Sequence, residues 1–232
     1  MEMEESIFRH KRFDADSMLR FGFHKTDNGF MYVSGFMNGD FTAQIFVSDG
    51  GRITGRVIDN MNGEEYAQLR MESCQGAYIG SVREAYTELL GHIAKECCDD
   101  VPFVSDQANR IAKLIRMRYS VVPDNPWEDD DDTNPGVFRH SDTLKWFALI
   151  MNVKRHAILK NGDAGTVDVI NLKADISKTD ILTEKEGIYP AYHMNHKHWI
   201  SVFLDDELTD DDVMSLIDES FRLTGRHSDR KK

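Results

Sequence analysis

Cysteine is scarce in this chain, and long hydrophobic runs are missing. The three cysteines among 232 residues, Cys74, Cys97 and Cys98, are odd in number and two are adjacent, which does not suit a disulfide framework. The longest uncharged apolar run, residues 146–153, is far shorter than the roughly 20 residues of a membrane-spanning helix. The acidic start MEMEES does not resemble a secretion signal. We therefore expect a soluble, cytoplasmic protein with reduced thiols and no membrane partner.

Motifs of the common enzyme classes are also absent. The sequence has no GxxxxGK[ST] phosphate loop, strand-linked GxGxxG, GxSxG elbow or HExxH helix. Cys97 and Cys98 fall at the predicted end of a helix, where the helix dipole disfavours a reactive thiolate. These absences favour a non-enzymatic protein that uses no cofactor.

Basic residues are fewer than acidic residues in this chain. The formal net charge is −12, with 28 Lys+Arg against 40 Asp+Glu, and such a balance opposes nucleic-acid binding unless a local basic patch exists. Residues 137–200 are the least acidic stretch, with nine Lys+Arg, seven Asp+Glu and five histidines. Acidic runs flank it at 128–132 and 205–212. We expect the first run to be a solvated loop, and either run would repel phosphate if it bordered the same surface.

Proline is missing from the first hundred residues. All five prolines follow residue 101, whereas 11 of the 16 glycines precede it. This change in proline and glycine content predicts a domain boundary near residues 97–105, between a domain at 1–100 and a second domain at 103–225. The basic residues 226–232 are predicted to be a solubilising tail rather than a nucleic-acid arm.

The first half is predicted to be rich in strands. Residues 30–36, 41–48 and 52–58 are joined by NGD and DGG, which are strong turn signals, so a three-stranded meander is expected. A helix is predicted to begin at Ser81, where Ser81 and Glu84 have the spacing of a capping box. Its buried stripe is predicted to be Val82, Tyr86, Leu89, Leu90 and Ile93.

The second half predicts a helix, then strands, then a helix. The helices are expected at 105–119 and from the N-cap residue Thr209 to the terminating Gly225. The strands are expected at 137–140, 145–153, 167–173 and 199–204. Both units are therefore predicted to be α+β, each an antiparallel sheet with helices packed on one face.

A cluster of histidines lies in YPAYHMNHKHWISVFLDD, residues 189–206. On an extended chain His196 and His198 share a face, so zinc could use this pair together with His193. The spacing is not typical of a structural zinc site, and no cysteine completes it. We therefore predict no metal here.

Two other interpretations of this segment remain open. Asn195, Lys197 and His198 could donate to phosphates or base edges while Trp199 anchors the strand. Alternatively, Trp199 belongs to the core, His193 serves a turn and Lys197 is only solvated.

Three segments resemble the MmcQ/YjbR family over about residues 103–225. In order they are KWFALIMNVKR (145–155), VDVINLK (167–173) and GIYPAYHMNHKHWISVFLDDELTDDDVMSLIDESFRLT (187–224). The residues that match the family pattern are Lys145, Trp146, Phe147, Asn171, Leu172, Lys173, Pro190, His193, Met194, Asn195, Lys197, His198 and Trp199. The resemblance implies a CyaY-like α+β fold and a bacterial protein commonly described as DNA-binding, with no enzymatic reaction attached. Residues 1–100 lie outside it.

The resulting hypothesis is DNA binding by this domain. Its predicted contact residues are Lys145, Asn171, Lys173, His193, Asn195, Lys197 and His198. Strand parity places Lys145 on one face with Phe147, Leu149 and Met151, and Lys173 on one face with Val167, Val169 and Asn171. The first alternative is a protein-interaction or stress-response adaptor that does not bind nucleic acid and whose partner binds residues 1–100. The second is a metal-binding or small-molecule module that uses the histidines.

Overall fold

The computed structural model describes residues 3–71, 73–126 and 135–225. The chain forms two compact units, Met1–Val101 and Pro102–Lys232. Both are α+β with antiparallel sheets, so the predicted fold class is confirmed. The predicted acidic loop at 128–132 and the predicted basic tail at 226–232 lie outside the described residues.

The first unit is built on a five-stranded antiparallel sheet with the order β2-β3-β4-β5-β6. Its strands are β1 (Lys11–Phe13), β2 (His24–Thr26), β3 (Gly29–Phe36), β4 (Phe41–Ser48), β5 (Ile53–Asp59), β6 (Glu64–Glu65) and β7 (Cys98–Asp100), of which β1 and β7 pair separately. Its helices are α1 (Met3–Phe8), α2 (Ala15–Phe21) and α3 (Ala77–Cys97). The predicted meander is confirmed as β3, β4 and β5.

Alternation along β4 explains how this unit forms its core. Burial alternates at every second residue of β4, as a strand with one covered face requires. The buried residues Phe41, Ala43, Ile45 and Val47 share one hydrophobic cluster with the stripe of α3, whose buried members are Val82, Tyr86, Leu90, Ile93, Ala94 and Cys97. Leu89 is half-buried at the edge of that cluster. The predicted stripe is therefore confirmed.

The predicted capping box of α3 is wrong. The helix begins at Ala77, four residues before Ser81, with Gly76 as its N-cap. Ser81 lies inside the helix, and its hydroxyl donates to the carbonyl oxygen of Ala77 at 3.1 Å. A serine can satisfy its hydroxyl on the preceding turn, so the spacing from Ser81 to Glu84 did not require a helix start.

A buried carboxylate joins α1 to the rest of the first unit. Glu4 is 1% exposed and accepts hydrogen bonds from Arg70 at 2.7 and 3.0 Å and from the Tyr86 hydroxyl at 2.6 Å. Burial raises the pKa of Glu4, but the hydrogen bonds from Arg70 and Tyr86 lower that pKa by more. A Cβ at residue 55 would lie 1.9 Å from the Tyr86 hydroxyl, so this network requires Gly55.

The second unit is a five-stranded antiparallel sheet with the order β11-β12-β10-β9-β8. Its strands are β8 (Gly136–Arg139), β9 (Trp146–Lys154), β10 (Thr166–Lys173), β11 (Ile188–Pro190) and β12 (Trp199–Phe203). Its helices are α4 (Asp106–Tyr119), α5 (Arg155–Leu159), α6 (Thr179–Leu182) and α7 (Asp210–Thr224). The predicted Thr209 cap is confirmed, because its side chain accepts from the backbone N–H of Asp212 at 3.2 Å. The predicted end at Gly225 is also confirmed.

Helices α4 and α7 cover one face of this sheet. Ile111, Ile115 and Ile217 from the helices form one cluster with Ile150 and Ile170 from the strands. A smaller cluster on the opposite face contains Val137, Leu149, Met151, Val153, Val167, Val169 and Phe203. No helix in the described ranges is long and apolar enough to cross a membrane.

Strand parity holds for β10 but fails at the start of β9. Val167 and Val169 share a cluster, as predicted for the face that includes Lys173. Phe147, however, belongs to the helix-side cluster, whereas Leu149 lies on the opposite face. The reason is a register shift, because Phe138 pairs with Ala148 while Arg139 pairs with Trp146. A bulge of this kind reverses the alternation that a regular strand would have.

Candidate nucleic-acid interface

One end of the second sheet gathers the predicted basic residues. Strand β9 begins at Trp146, β10 ends at Lys173 and β12 begins at Trp199, and these strands are antiparallel neighbours. The start of β9, the end of β10 and the start of β12 therefore lie together at one end of the sheet. Lys145 precedes β9, and Lys197 and His198 precede β12. We call Lys145, Lys173, Lys197 and His198 the basic end of the sheet.

The lysines of the basic end differ in exposure. Lys145 and Lys197 are exposed, whereas Lys173 is half-buried. The carbonyl oxygen of Lys145 accepts from the backbone N–H of His140 at 2.9 Å, which closes the turn between β8 and β9. The ammonium group of Lys173 lies 5.4 Å from the ring centroid of Trp199. The charges of Lys145 and Lys197 are thus exposed to solvent, whereas the ammonium group of Lys173 makes a cation–π contact with the Trp199 indole.

The segment before β12 is shaped by Asn195. Its side-chain oxygen accepts from the backbone N–H of Lys197 at 3.0 Å, and its carbonyl oxygen accepts from the N–H groups of His198 and Trp199 at 3.0 Å. His193 takes the left-handed conformation at φ 57°. Its side chain is exposed, and the centroids of the His193 and Tyr192 rings are 4.0 Å apart. Asn195 therefore holds the turn that presents Lys197, in addition to being exposed itself.

Asn171 has a different role from the one predicted. Its side chain is fully buried, so it has no surface to offer to nucleic acid. Its amide nitrogen donates to the carbonyl oxygen of Tyr192 at 2.8 Å, and its amide oxygen accepts from the Ser201 hydroxyl. Asn171 thus ties the segment that carries Asn195 and Lys197 to the sheet.

Two cation–indole pairs lie on the sheet face opposite α4 and α7. The Arg139 guanidinium lies 5.1 Å from the Trp146 ring centroid, and Lys173 lies over Trp199 as described above. Arg139 also binds Asp124, with 2.9 Å between Nε and Oδ2. Sequence reasoning missed Arg139, because only the observed register places it beside Trp146.

The acidic run 205–212 lies at the other end of the sheet. It follows the last residue of β12, whereas Lys197 and His198 precede the first. A five-residue strand such as β12 spans about 16 Å, at roughly 3.3 Å per residue, which exceeds a Debye length of about 8 Å at physiological salt. Two arginines also pair with this run, Arg155 with Asp205 at 2.7 Å and Arg110 with Asp210 at 2.8 Å. The acids closest in sequence to the basic end are Asp142 and Asp175.

A cavity of about 580 Å³ lies beside the turn that carries Lys145. Its lining includes Tyr119, His140, Phe221 and Arg222. The His140 ring nitrogen Nε2 and the Thr224 hydroxyl are 2.8 Å apart, and burial lowers the pKa of His140. This histidine is therefore held neutral and hydrogen-bonded at neutral pH.

The described part of the chain contains no group of three or more His, Cys, Asp or Glu residues that could hold a metal ion. Burial raises the pKa of Cys97 to about 11 and that of Cys98 to about 12, so neither thiol is a reactive thiolate at neutral pH.

Sequence comparisons identify relatives of this chain in bacteria. A family model described as YjbR matches residues 117–223. The Bacillus subtilis (strain 168) protein named "Uncharacterized protein YyaQ" is 38% identical over 114 residues, which is 49% of this chain and 94% of the relative. "Uncharacterized protein YbdF" of Escherichia coli O157:H7 is 42% identical over 59 residues, which is 25% of this chain and 48% of the relative.

Solved structures give two further matches. A crystal structure of a Pseudomonas syringae protein is 45% identical, with a TM-score of 0.47, and the match covers 50% of this chain and 97% of that protein. The Deinococcus radiodurans protein DR2400 is 22% identical, with a TM-score of 0.35, over 48% of this chain and 75% of that protein.

Proposed function

The chain belongs to the YjbR family through residues 117–223, and from this premise we propose that its second unit binds DNA without catalysing a reaction. One observation carries the proposal. Lys145, Lys173 and Lys197 meet at one end of the sheet, and the acidic run 205–212 lies at the other. A chain with a net charge of −12 needs such a separation before it can approach a phosphate backbone.

In the proposed complex, Lys145 and Lys197 contact phosphates directly, because their side chains are exposed. Lys173 adds charge from its position over Trp199, and His193, Asn195 and His198 add hydrogen-bond donors at the rim. Asn171 acts only by holding the segment that contains them. Because few phosphates are contacted and the rest of the chain is acidic, we expect DNA binding to be weak and strongly salt-dependent.

The proposal is tested by fluorescence anisotropy of labelled DNA across a salt series. The wild type is compared with Lys145→Gln/Lys173→Gln/Lys197→Gln, which keeps the hydrocarbon stems and removes three charges. Each phosphate contact contributes about −0.9 to the slope of log K against log salt, so the variant's slope is expected to be shallower by about 2 to 3. Affinity for DNA falls at every salt concentration.

A matched control removes the same charge elsewhere in the second unit. Lys113 on α4, Lys154 at the end of β9 and Lys185 before β11 are exposed and lie away from the basic end. The Lys113→Gln/Lys154→Gln/Lys185→Gln variant is expected to keep the wild-type slope. The proposal is rejected if no binding occurs at low salt, or if this control loses as much affinity as the test variant.

We also propose that residues 103–225 form a CyaY-like domain, with residues 1–100 as a separate domain that serves a protein partner. The order helix, antiparallel strands, helix in the second unit supports the first assignment.

A cytoplasmic location accords with the free thiols of Cys74, Cys97 and Cys98. Limited proteolysis tests the boundary, and cleavage confined to residues 97–105 with two stable fragments is the expected result.

A further inference from the structure

Cations and indoles alternate across the end of the second sheet. The register places Arg139 of β8 opposite Trp146 of β9, and Lys173 of β10 opposite Trp199 of β12. Because β8, β9, β10 and β12 are successive neighbours, the two pairs lie at the same end of the sheet, where the regular pairing of β9 with β10 has ended at Ala148 and Leu172. We call Arg139, Trp146, Lys173 and Trp199 the cation–indole ladder.

The ladder lies on the sheet face that α4 and α7 do not cover. Trp146 packs against the cluster of Val137 and Leu149 on that face. Lys173 shares a face with Val169 because two residues along a strand point the same way. Directly paired residues share a face, so Arg139 and Trp199 lie on this face as well.

The exposure of the two indoles distinguishes them from core aromatics. Phe147 and Phe203 of the same strands are 0% and 2% exposed, whereas Trp146 and Trp199 are both half-buried. Each indole also has an exposed lysine close in sequence, Lys145 or Lys197. Trp199 therefore presents aromatic surface beside the charges of Lys173 and Lys197, which is the arrangement that binds single-stranded nucleic acid through base stacking and phosphate contacts.

Double-stranded DNA cannot use the aromatic part of this surface. Its bases are paired and stacked on one another, so their faces are not available to an indole. Phosphate contacts from the lysines serve both forms of DNA. A preference between the two forms must therefore come from the indoles.

We propose that the cation–indole ladder makes the site selective for single-stranded over double-stranded DNA, with a base stacked at Trp199 beside the phosphate-binding lysines. This inference rests on the proposed function, since it specifies the ligand of the same basic end. Lys173 orients the Trp199 ring from one side, and Trp146 and Arg139 extend the surface along the strand of DNA.

The test compares a mixed-sequence single strand with the matching duplex in the full chain at one low salt concentration. Stacking on an aromatic side chain contributes enough to expect at least a roughly fivefold tighter binding of the single strand by the wild type. Trp199→Leu is expected to bring the two affinities within about twofold, and duplex binding is expected to change little. Trp199→Phe keeps an aromatic ring and is expected to restore most of the preference.

A matched control removes another aromatic side chain from the same face. Tyr189 lies on β11 opposite Ser201, next to the ladder on the same face, and its ring packs on Phe203, with 4.4 Å between ring centroids. Tyr189→Leu is expected to retain the single-strand preference. Thermal unfolding of each variant checks that it is folded, and quenching of intrinsic tryptophan fluorescence by the single strand reports stacking in the wild type without any substitution.

The outcomes separate this inference from the proposed function. Equal wild-type affinity for the two forms, or an equal loss for both in Trp199→Leu, would overturn the ladder's role and leave DNA binding in place. Absence of quenching on saturation with the single strand would also overturn it. Failure to bind either form at low salt would remove both proposals.

Discussion

The backbone N–H of Lys173 donates a 2.8 Å hydrogen bond to the side-chain hydroxyl of Ser220. The same hydroxyl donates to the carbonyl oxygen of Phe147. The regular pairing of β9 with β10 ends at Ala148 and Leu172, so a side chain from α7 joins the two strands beyond that point. Helix α7 thereby fixes the end of the sheet that carries Lys173.

Ser220→Ala is expected to destabilise the second unit by about 1 to 3 kcal/mol, because it leaves a buried N–H and a buried carbonyl without this partner. Urea unfolding followed by tryptophan fluorescence measures this change, since all three tryptophans lie after residue 101. The control is Ser215→Ala on the same helix, where an exposed hydroxyl donates to the Asp211 carbonyl at 2.9 Å. A loss no larger than that of the control would show that the bridge adds no stability.

Asn171→Leu is expected to loosen the segment that presents Lys197. The substitution keeps a similar volume but leaves the Tyr192 carbonyl and the Ser201 hydroxyl without their amide partner, at a cost of about 2 kcal/mol. Hydrogen exchange of residues 191–198 should accelerate more than that of β9. Asn161→Ala, at an exposed turn, serves as the control. Unchanged exchange in 191–198 would contradict the positioning role of Asn171.

Glu4→Gln is expected to destabilise the first unit in a pH-dependent manner. The folded-state pKa of Glu4 is lowered overall, so its ionised form contributes stability above the unfolded-state pKa of about 4.3. That contribution is lost as pH falls through the lowered folded-state pKa. The difference from wild type should reach about 3 kcal/mol near neutral pH and shrink toward zero in stronger acid.

Far-UV circular dichroism during urea unfolding between pH 7 and pH 3 measures the effect of Glu4→Gln. Tryptophan fluorescence provides an internal reference, because it reports the second unit. Glu88→Gln changes the same charge at an exposed position of α3 and is expected to leave stability within about 0.5 kcal/mol of wild type. A pH-independent difference for Glu4→Gln would show that the network contributes through packing rather than ionisation.

The three thiols are expected to react at different rates. At pH 8, pKa values of about 11 for Cys97 and about 12 for Cys98 leave at most about one thiolate per thousand molecules at each site. Cys74 is half-buried and not part of a core cluster. A thiol-reactive dye should therefore show one fast equivalent that disappears in Cys74→Ser, and two slow equivalents that become fast in denaturant. Rapid labelling of all three native thiols would contradict the raised pKa values of Cys97 and Cys98.

Local patterns in the sequence were sufficient for most of the fold. Period-two alternation identified β3, β4 and β5, and the apolar stripe of α3 identified its buried face, because both patterns depend only on backbone geometry within one element. The cap at Thr209 was also predictable, since the capping hydrogen bond joins residues three apart. The spacing of Ser81 and Glu84 gave a wrong helix start, because the same spacing occurs both at the N-cap of a helix and inside one.

Relationships between distant residues were decided only by the tertiary structure. The sequence by itself determined that Lys145, Lys173, Lys197 and Trp199 are present at strand ends, and the antiparallel order of the sheet brought those ends together. It did not determine that Asn171 is buried, that Phe147 faces the helices or that Arg139 lies over Trp146. Each of these depends on the register between strands and on a bulge in one of them, and register is set by the packing of the whole sheet rather than by the residues of a single strand.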